Sequence, residues 1–439
     1  MSQIQISGRT AAAIAASVER AIHSGRAIGT GPLPTVRDLA ETLAVSPATV
    51  AAAYKLLRTR GLVVGQGRQG TRVAPRPQPP VAPALADLPP GTIDLATGNP
   101  DPALLPPLEP VLRAFGDESL LYGADTQLPD LVAFVASEFE ADGIPARGIT
   151  ILGGELDAIE RVLREHLQPG DRVAVEDPVF PAVVDLINAS GLVPVPFVVD
   201  DEGPQPDAFE AALQTRCAAV IVTPRAQNPT GAAITPSRAI ELRRRMRKFP
   251  DVLLIEDDCA APIAGAAAVT LRDNTRARWA IVRSTSKFLG PDLRLAVMTA
   301  DDLTTGRVQG RQALGTRWVS RILQRLALSL WSDPASGRRL ARAADIYAQR
   351  RTALLAALEA NGIRAHGRSG LNVWIPVRDE GRTVRGLAER GWAVAAGERF
   401  RITSAPAIRV TTAALTQPDA ARFAADLTAI VSAGPSRLA

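Results

Sequence analysis

Apolar residues recur at helical spacing over the first seventy positions, broken by turn residues at regular points. Thr10–Ser24 is rich in alanine and suits a helix. After Gly29–Pro34, Thr35 stands ahead of the amphipathic run Val36–Leu43, with Asp38 three positions on in the place of a capping box. A short turn at Ala44–Val45 leads to Ser46, which caps a further helix opening on Pro47, where a missing N–H costs nothing. That helix runs to about Arg60, and Gly61 supplies its stop. Leu62–Val64 and Thr71–Val73, joined through Gly65, Gly67 and Gly70, read as a small hairpin. Two helices around a tight turn, followed by a glycine-bearing hairpin, predict a winged helix-turn-helix. Such a unit places its second helix in a DNA major groove and its wing on the backbone.

The pattern changes after a proline-rich stretch. Pro75, Pro77, Pro79, Pro80, Pro83, Pro89 and Pro90 deny helix and sheet to that segment and favour a semi-rigid spacer. Beyond it, short apolar runs alternate with longer periodic ones. Val173–Val175, Val193–Val198, Ala219–Val222, Val252–Ile255 and Ala280–Val282 read as buried parallel strands. Leu156–Leu167 and Pro236–Arg247 read as helices between them. The alternation predicts an α/β fold with a mainly parallel sheet, and the last hundred residues, from about Asp333, a smaller α/β lobe. The expected division is residues 1–74, a linker over 75–92 and a large unit over 93–435, with the small lobe built from 93–120 and 333–435.

Charge sharpens this division. Residues 1–74 carry nine basic and three acidic side chains, while the other 365 residues carry 41 basic and 42 acidic ones. The positive excess sits in the N-terminal sixth, as a module docking on phosphates requires. A basic solvated tail is the plain alternative, and the apolar patterning of the segment argues against it. No apolar run reaches the length of a membrane span, and the first thirty residues lack a secretory pattern, so a cytoplasmic protein is expected. Two cysteines, Cys217 and Cys259, and three histidines give neither a disulfide framework nor a metal-ligand spacing.

The large unit carries its own candidate chemistry. The chain has only three lysines, and one of them, Lys287, lies just past a strand in RSTSKFLGPDLRL. A lysine so placed suits a Schiff base with an aldehyde cofactor. Ser284 and Ser286 offer hydroxyls and Arg294 a guanidinium for a phosphate. Asn228, in QNPTG, can donate to a phenolate oxygen, and Asp257, ending a strand, can pair with a protonated pyridine nitrogen. Gly153–Gly154 precede a helix starting near Glu155, where backbone N–H groups can hold a phosphate. Phe180 either stacks on a ring or belongs to the core. The basic run Arg243–Lys248 reads as a solvated helix face, and Trp279, Trp318, Trp331 and Trp374 as core or interface residues.

LPTVRDLAETLAVSPATVAAAYKLLRTRGLV resembles the GntR-type DNA-binding domain. IDLATGNPDPALLP, LQPGDRVAVEDPVFP, TPRAQNPTG, IEDDC and STSKFLGPDLRL, in that order, resemble fold-type I aminotransferases. Taken together the chain is similar to the MocR-type regulators of the GntR superfamily over almost its whole length. The resemblance implies pyridoxal 5′-phosphate as cofactor. Lys287 would be its Schiff-base lysine, Asp257 the partner of the pyridine nitrogen and Asn228 the neighbour of the ring hydroxyl. Gly154, Ser284, Ser286 and Arg294 would lie at the phosphate, and Arg409, in APAIRVTTA, would hold the carboxylate of an amino-acid-like effector. Two positions depart from the family pattern. Cys259 stands where relatives carry a tyrosine that touches the phenolate. Glu155 stands where they carry small or polar residues, so either it points away or it repels the phosphate.

For DNA, Arg37, Ser46, Thr49, Tyr54, Lys55 and Arg68 are the candidate contacts, with Tyr54 equally suited to the core. Pro47 takes the place of an arginine common in the family, and with it one contact is lost. The expected function is a transcription regulator responsive to pyridoxal phosphate or to its adduct with an amine or amino acid. The resemblance further implies a homodimer on repeated half-sites of double-stranded DNA. A working aminotransferase with an accessory DNA-binding module is the alternative, and a scaffold that has lost the cofactor is a third reading.

Overall fold

Polar caps and left-handed turns set the N-terminal elements of the computed structural model, which describes residues 6–23, 32–59, 63–65, 70–73, 89–113 and 121–432. Helix α1 (Ala11–His23) opens after Thr10, whose hydroxyl accepts from the Ala13 N–H at 3.2 Å. Helix α2 (Val36–Leu43) opens on Thr35, which accepts from the Asp38 N–H at 3.3 Å, and closes on Ala44 in the left-handed region at φ 51°. Helix α3 (Pro47–Thr59) opens on Ser46, whose Oγ accepts from the Thr49 N–H at 3.1 Å. Ile14, Val18, Leu39, Val50, Tyr54 and Leu57 form the core between the three helices. The hairpin pairs β1 (Val63–Gly65) with β2 (Thr71–Val73), antiparallel, Val63 facing Val73. Strand β1 thus starts at Val63 and takes in Gly65, while Leu62, Gly67 and Arg68 lie outside the described residues.

The chain divides into two compact units, one holding the residues before 82 and the other most of the remainder. In the second, β3 (Ile93–Leu95) leads into α4 (Glu109–Arg113), α5 (Pro129–Ala141), β4 (Thr150–Leu152), α6 (Glu155–His166), β5 (Arg172–Asp177) and α7 (Pro181–Ala189). There follow β6 (Val193–Asp200), β7 (Gly203–Pro204), α8 (Pro206–Gln214), β8 (Ala219–Val222), α9 (Pro236–Met246), β9 (Leu253–Asp258), β10 (Trp279–Ser284) and β11 (Ala296–Ala300). The eight-stranded sheet has the order β4-β11-β10-β9-β8-β5-β6-β7. Its centre is parallel, β5 to β8, β8 to β9 and β9 to β10, and β11 runs antiparallel to both β10 and β4. The α/β class with a mainly parallel sheet expected from the alternation is the one observed.

Strands β8, β9 and β10 are buried from end to end, which is why β8 and the first parts of β9 and β10 read as apolar runs, while β9 and β10 end on buried polar residues. Strand β6 departs from that expectation. Close to the sheet edge, it leaves Val193 43% and Val198 48% exposed. Arg245 on α9 and Lys248 just beyond its end both pair with Glu210, at 2.8 and 2.6 Å, so this basic run is ion-paired as well as solvated.

Helices α10 (Asp302–Ala313) and α11 (Arg321–Ser332) lead to the smaller lobe. There α12 (Pro334–Ala360), β12 (Asn372–Pro376), α13 (Glu380–Ala388), β13 (Trp392–Ala396), β14 (Ala407–Thr411) and α14 (Gln417–Ser432) follow in turn. Its sheet has the order β12-β14-β13-β3, with β3 parallel to β13. The 27-residue α12 joins the two lobes: Leu340, Ala343 and Tyr347 enter the core of the large lobe, Leu354 and Leu358 that of the small one. No helix among the described residues is long and apolar enough to cross a membrane.

Candidate functional site

Parallel strands deliver the residues after their C-terminal ends to one rim of a sheet, and a cavity opens at that rim. Asp257 and Asp258 are the last two residues of β9 and point to opposite faces. Asp258 accepts from Arg225 Nε at 2.8 Å and Arg283 Nε at 2.9 Å. Asp257 turns into a cavity of about 240 Å³. Beside it, Val282 of β10 pairs with Asp257 in register, and the chain runs on through Ser284 and Ser286 to Lys287. The cavity is lined by Gly98, Glu155, Phe180, Asn228, Asp257, Cys259, Ser284, Ser286, Lys287, Arg294, Asn372 and Arg409.

The lining side chains hold one another in place. Lys287 Nζ donates to the Gly98 carbonyl at 2.7 Å. Asn228 Oδ1 accepts from Arg409 Nη1 at 3.2 Å and from Asn372 Nδ2 at 3.4 Å. Arg409 also donates to the Ala96 carbonyl and lies 4.8 Å above the Phe400 ring. The Ser284 hydroxyl donates to Ser286 Oγ at 3.1 Å. Arg294, itself left-handed at φ 45°, reaches the Gly153 carbonyl at 3.4 Å. Gly154 has φ +126°, and a Cβ there would sit 2.4 Å from Arg294 Nη2, so only glycine leaves room for that guanidinium.

Burial dominates the electrostatics. Asp257 is buried, its Oδ1 has no hydrogen-bond partner among the described residues, and burial pushes its pKa well above the usual carboxylate range. The charges of Glu155, Asp258 and Glu176 push it the same way. Burial likewise raises Cys259, helped by Asp257 and Glu155, and so keeps it a neutral thiol. Lys287 is lowered by burial, against the pull of Cys259 and Glu155, which favours the free amine a nucleophile needs. Arg409 is pulled down to about 10 by burial. Glu155 does not point away. It lines the cavity wall with Arg294, Ser284 and Lys287, and its pKa is raised by burial, although Lys287, Arg294 and the Ser284 hydroxyl pull the other way.

In the N-terminal unit, Arg37, Ser46 and Lys55 are exposed and Thr49 half-buried. Ser46 and Thr49 spend part of their polar capacity on each other, with oxygens 2.8 Å apart. Tyr54 corrects its reading as a DNA contact: it is 1% exposed, and its hydroxyl donates to the Pro34 carbonyl at 2.7 Å. It belongs to the core because Val50, Ala53, Tyr54 and Leu57 share one face of α3.

Both units match described families. Residues 10–73 match the bacterial regulatory proteins of the gntR family, and residues 92–427 match the aminotransferases of class I and II. Over 426 residues the chain is 39% identical to the vitamin B6 salvage pathway transcriptional repressor PtsJ of Salmonella typhimurium, covering 96% of this chain and 98% of that protein. The chain belongs to the MocR-type regulators of the GntR superfamily. This regulator is also 27% identical over 381 residues to the HTH-type transcriptional regulator YdcR of Escherichia coli, covering 78% of this chain and 81% of that one. Its large unit has the fold of the α-aminoadipate aminotransferase LysN of Thermus thermophilus, with a TM-score of 0.68 and 24% identity over 78% of this chain and 92% of that one. It shares the fold equally with the multiple substrate aminotransferase of Thermococcus profundus, at a TM-score of 0.73 and 20% identity over 82% and 97% of the two chains. The regulator is thus a DNA-binding transcription factor whose second unit is a fold-type I aminotransferase domain, and its family implies a pyridoxal 5′-phosphate site.

The structure brings Glu155, Phe180, Asn228, Asp257, Cys259, Ser284, Ser286, Lys287, Arg294 and Arg409 to the wall of one cavity, with Gly154 directly beneath Arg294. Asn372 and Gly98 also line the wall, and sequence reasoning passed over them. Asn372 opens the apolar strand β12 and bonds both Asn228 and Thr411, so a lone amide in NVWIP was the available signal. The ring end of the cavity fits the implied group, because the unpartnered Asp257 oxygen suits a protonated ring nitrogen. The glycine–arginine–serine cradle suits an anion, but Glu155 already brings a carboxyl to it.

Proposed function

We propose that the regulator senses a pyridoxal-type pyridine aldehyde, pyridoxal 5′-phosphate being the one its family implies, and that occupancy of the cavity alters DNA binding by the N-terminal unit. One observation carries the reading: a half-buried lysine with a lowered pKa and a buried aspartate with an oxygen unpartnered among the described residues share the wall of one cavity. A bound pyridine aldehyde supplies a carbonyl that a lysine amine can attack and a ring that draws electrons from it.

This chain's own residues divide the remaining work. Lys287, held by the Gly98 carbonyl, presents its amine to the cavity. Asp257 would pair with the protonated ring nitrogen, and Asn228, its amide held by Arg409, would donate to the ring oxygen. Phe180, in the same wall, would lie against the ring. Arg294, Ser286 and the Gly154 N–H would receive the arm carried beside the carbonyl. Arg409, its Nε buried without a partner, receives the carboxylate of an amino-acid effector.

Arg37, Lys55 and Arg68 meet phosphates, and Ser46 and Thr49 open the helix that enters the major groove. A ligand that binds the DNA-competent and incompetent states unequally shifts their populations. We place the regulator in the cytoplasm as a homodimer on repeated half-sites.

The test is an absorbance titration of the purified protein with pyridoxal 5′-phosphate beside Lys287→Ala, followed by mobility shifts on DNA from upstream of its own gene. A visible band present in the wild type and absent in the variant, with a ligand-dependent change in DNA affinity, is expected. No band, or a band with unaltered DNA affinity, overturns the reading. Sustained turnover of amino and keto acids would favour an enzyme instead.

A further inference from the structure

Glu155 is a feature of the cavity wall that the proposed ligand does not explain. It is the first residue of α6, where peptide N–H groups point at an incoming anion. The same end of the cavity gathers the Arg294 guanidinium and the hydroxyls of Ser284 and Ser286, with Gly154 kept bare for the arginine. This is a built cradle for one anionic arm. The Glu155 side chain lines this same end of the cavity beside Arg294, Ser284 and Lys287. Burial raises its pKa, against the pull of Lys287, Arg294 and the Ser284 hydroxyl. The cradle therefore already contains a carboxyl, supplied by the protein.

Charge decides what else fits. Arg294 brings the cradle one guanidinium, and Glu155 sets a carboxyl on the same wall. A phosphate dianion entering this space meets a carboxylate at close range in a low-dielectric wall, where like charges repel strongly. To be received it must push the Glu155 carboxyl aside or hold it in its protonated form. A hydroxymethyl arm faces neither demand. Its O–H can donate to the Glu155 carboxylate, and its oxygen can accept from Ser286 or Arg294, so every polar group stays satisfied.

We propose that Glu155 is a specificity-determining residue that cancels the advantage of a phosphate arm, so that the cavity binds the unphosphorylated pyridine aldehyde at least as tightly as its phosphate ester. The proposal rests on the reading of the cavity as a pyridine-aldehyde site. It makes the regulator a sensor of the unphosphorylated vitamer, the substrate of an ATP-dependent kinase reaction, as much as of that reaction's phosphorylated product.

The full-length wild type, Glu155→Ala and Glu155→Gln are titrated with pyridoxal and with pyridoxal 5′-phosphate, by absorbance and by calorimetry. Glu155→Gln keeps the side-chain volume and guards against a packing effect in the alanine variant. In the wild type pyridoxal is expected to bind as tightly as the ester or more tightly, and in both variants the ratio of the two dissociation constants moves about tenfold or more toward the ester. A wild type that prefers the ester by about tenfold, with the ratio unmoved in both variants, overturns the role of Glu155 and leaves the pyridine-aldehyde reading standing. Binding of neither aldehyde by any of the three proteins overturns that reading and this proposal with it.

Discussion

Single residues in this regulator do work that a change of one group should expose. Gly154 combines φ +126° with the close approach of Arg294. In Gly154→Ala a side chain is forced into a backbone region it rarely adopts, which costs on the order of 1–3 kcal/mol. The new methyl also displaces Arg294. Denaturant unfolding should therefore show a destabilised large unit, and titration should show weakened binding of an anionic ligand; unchanged values for both would contradict the geometry. Tyr54→Phe tests the opposite kind of residue. It removes the donor to the Pro34 carbonyl, at a cost of about 0.5–1.5 kcal/mol. It should leave DNA affinity intact below the unfolding temperature, whereas a base-contacting tyrosine would lose affinity without losing stability. The core role of Tyr54 was legible in the spacing of Val50, Ala53, Tyr54 and Leu57, and its hydroxyl obscured it. The orientation of Glu155 was not legible, because one residue's rotation at a helix start depends on Ser284, Lys287 and Arg294, more than a hundred positions away.

At the scale of elements, caps and charges can be separated. Ser46 both opens α3 and lies on its exposed end, so Ser46→Ala removes the acceptor of the Thr49 N–H. A cap loss of about 1 kcal/mol in the N-terminal unit is expected from thermal or urea unfolding. Lys55→Ala, at an exposed position of the same helix, should leave stability alone. Its effect should appear in the salt dependence of DNA binding, where each lost phosphate contact flattens the log–log slope by about 0.9. An unchanged slope would remove Lys55 from the interface.

Elements differed in how plainly the sequence announced them. Strand β8 and the first parts of β9 and β10 are apolar runs because both of their faces are covered, and helices α2 and α3 carry their caps in the sequence itself. Strand β4, with only Thr150, Ile151 and Leu152, lacks the length to show a period, and it exists because it pairs with Ala296–Met298. Strand β3 pairs with Trp392–Val394, some three hundred positions away, and no local pattern encodes such a partner. Helix α12 begins where a boundary between lobes was expected, and it serves both cores because its apolar face continues across 27 residues.

The whole molecule stores protons in its interior, and this sets the sign of its pH dependence. Burial raises Glu176 to about 7, and Glu256 to about 7 as well. Asp257 is raised too, by burial first and then by Glu155. A carboxyl whose folded pKa lies above its unfolded one binds more protons in the native state. Its stabilisation is complete below the ordinary carboxylate range and is lost as pH rises through the folded value. His366, raised chiefly by its bond to Asp201, loses its contribution in the same direction. His166, lowered by burial, acts the opposite way but is a single group. Asp258 escapes the trend: burial would raise it, but Arg225 and Arg283 win, so its contribution disappears only in acid below the carboxylate range. The ligand-free protein should therefore lose stability between about pH 5 and pH 7. The check is the midpoint of the main unfolding transition across that range, measured beside Asp257→Asn. An amide at position 257 cannot titrate and no longer repels Glu155, so the variant's profile should be shallower and its stability at neutral pH no lower than that of the wild type, although it binds the pyridine aldehyde more weakly. A flat or rising profile in the wild type would mean that water or structural relaxation ionises these carboxyls freely. The unpartnered Asp257 oxygen would then be no reservoir for a ring nitrogen's proton. If the profile falls as expected and flattens in the variant, the cost of holding Asp257 without a hydrogen-bond partner is the quantity that ligand binding relieves.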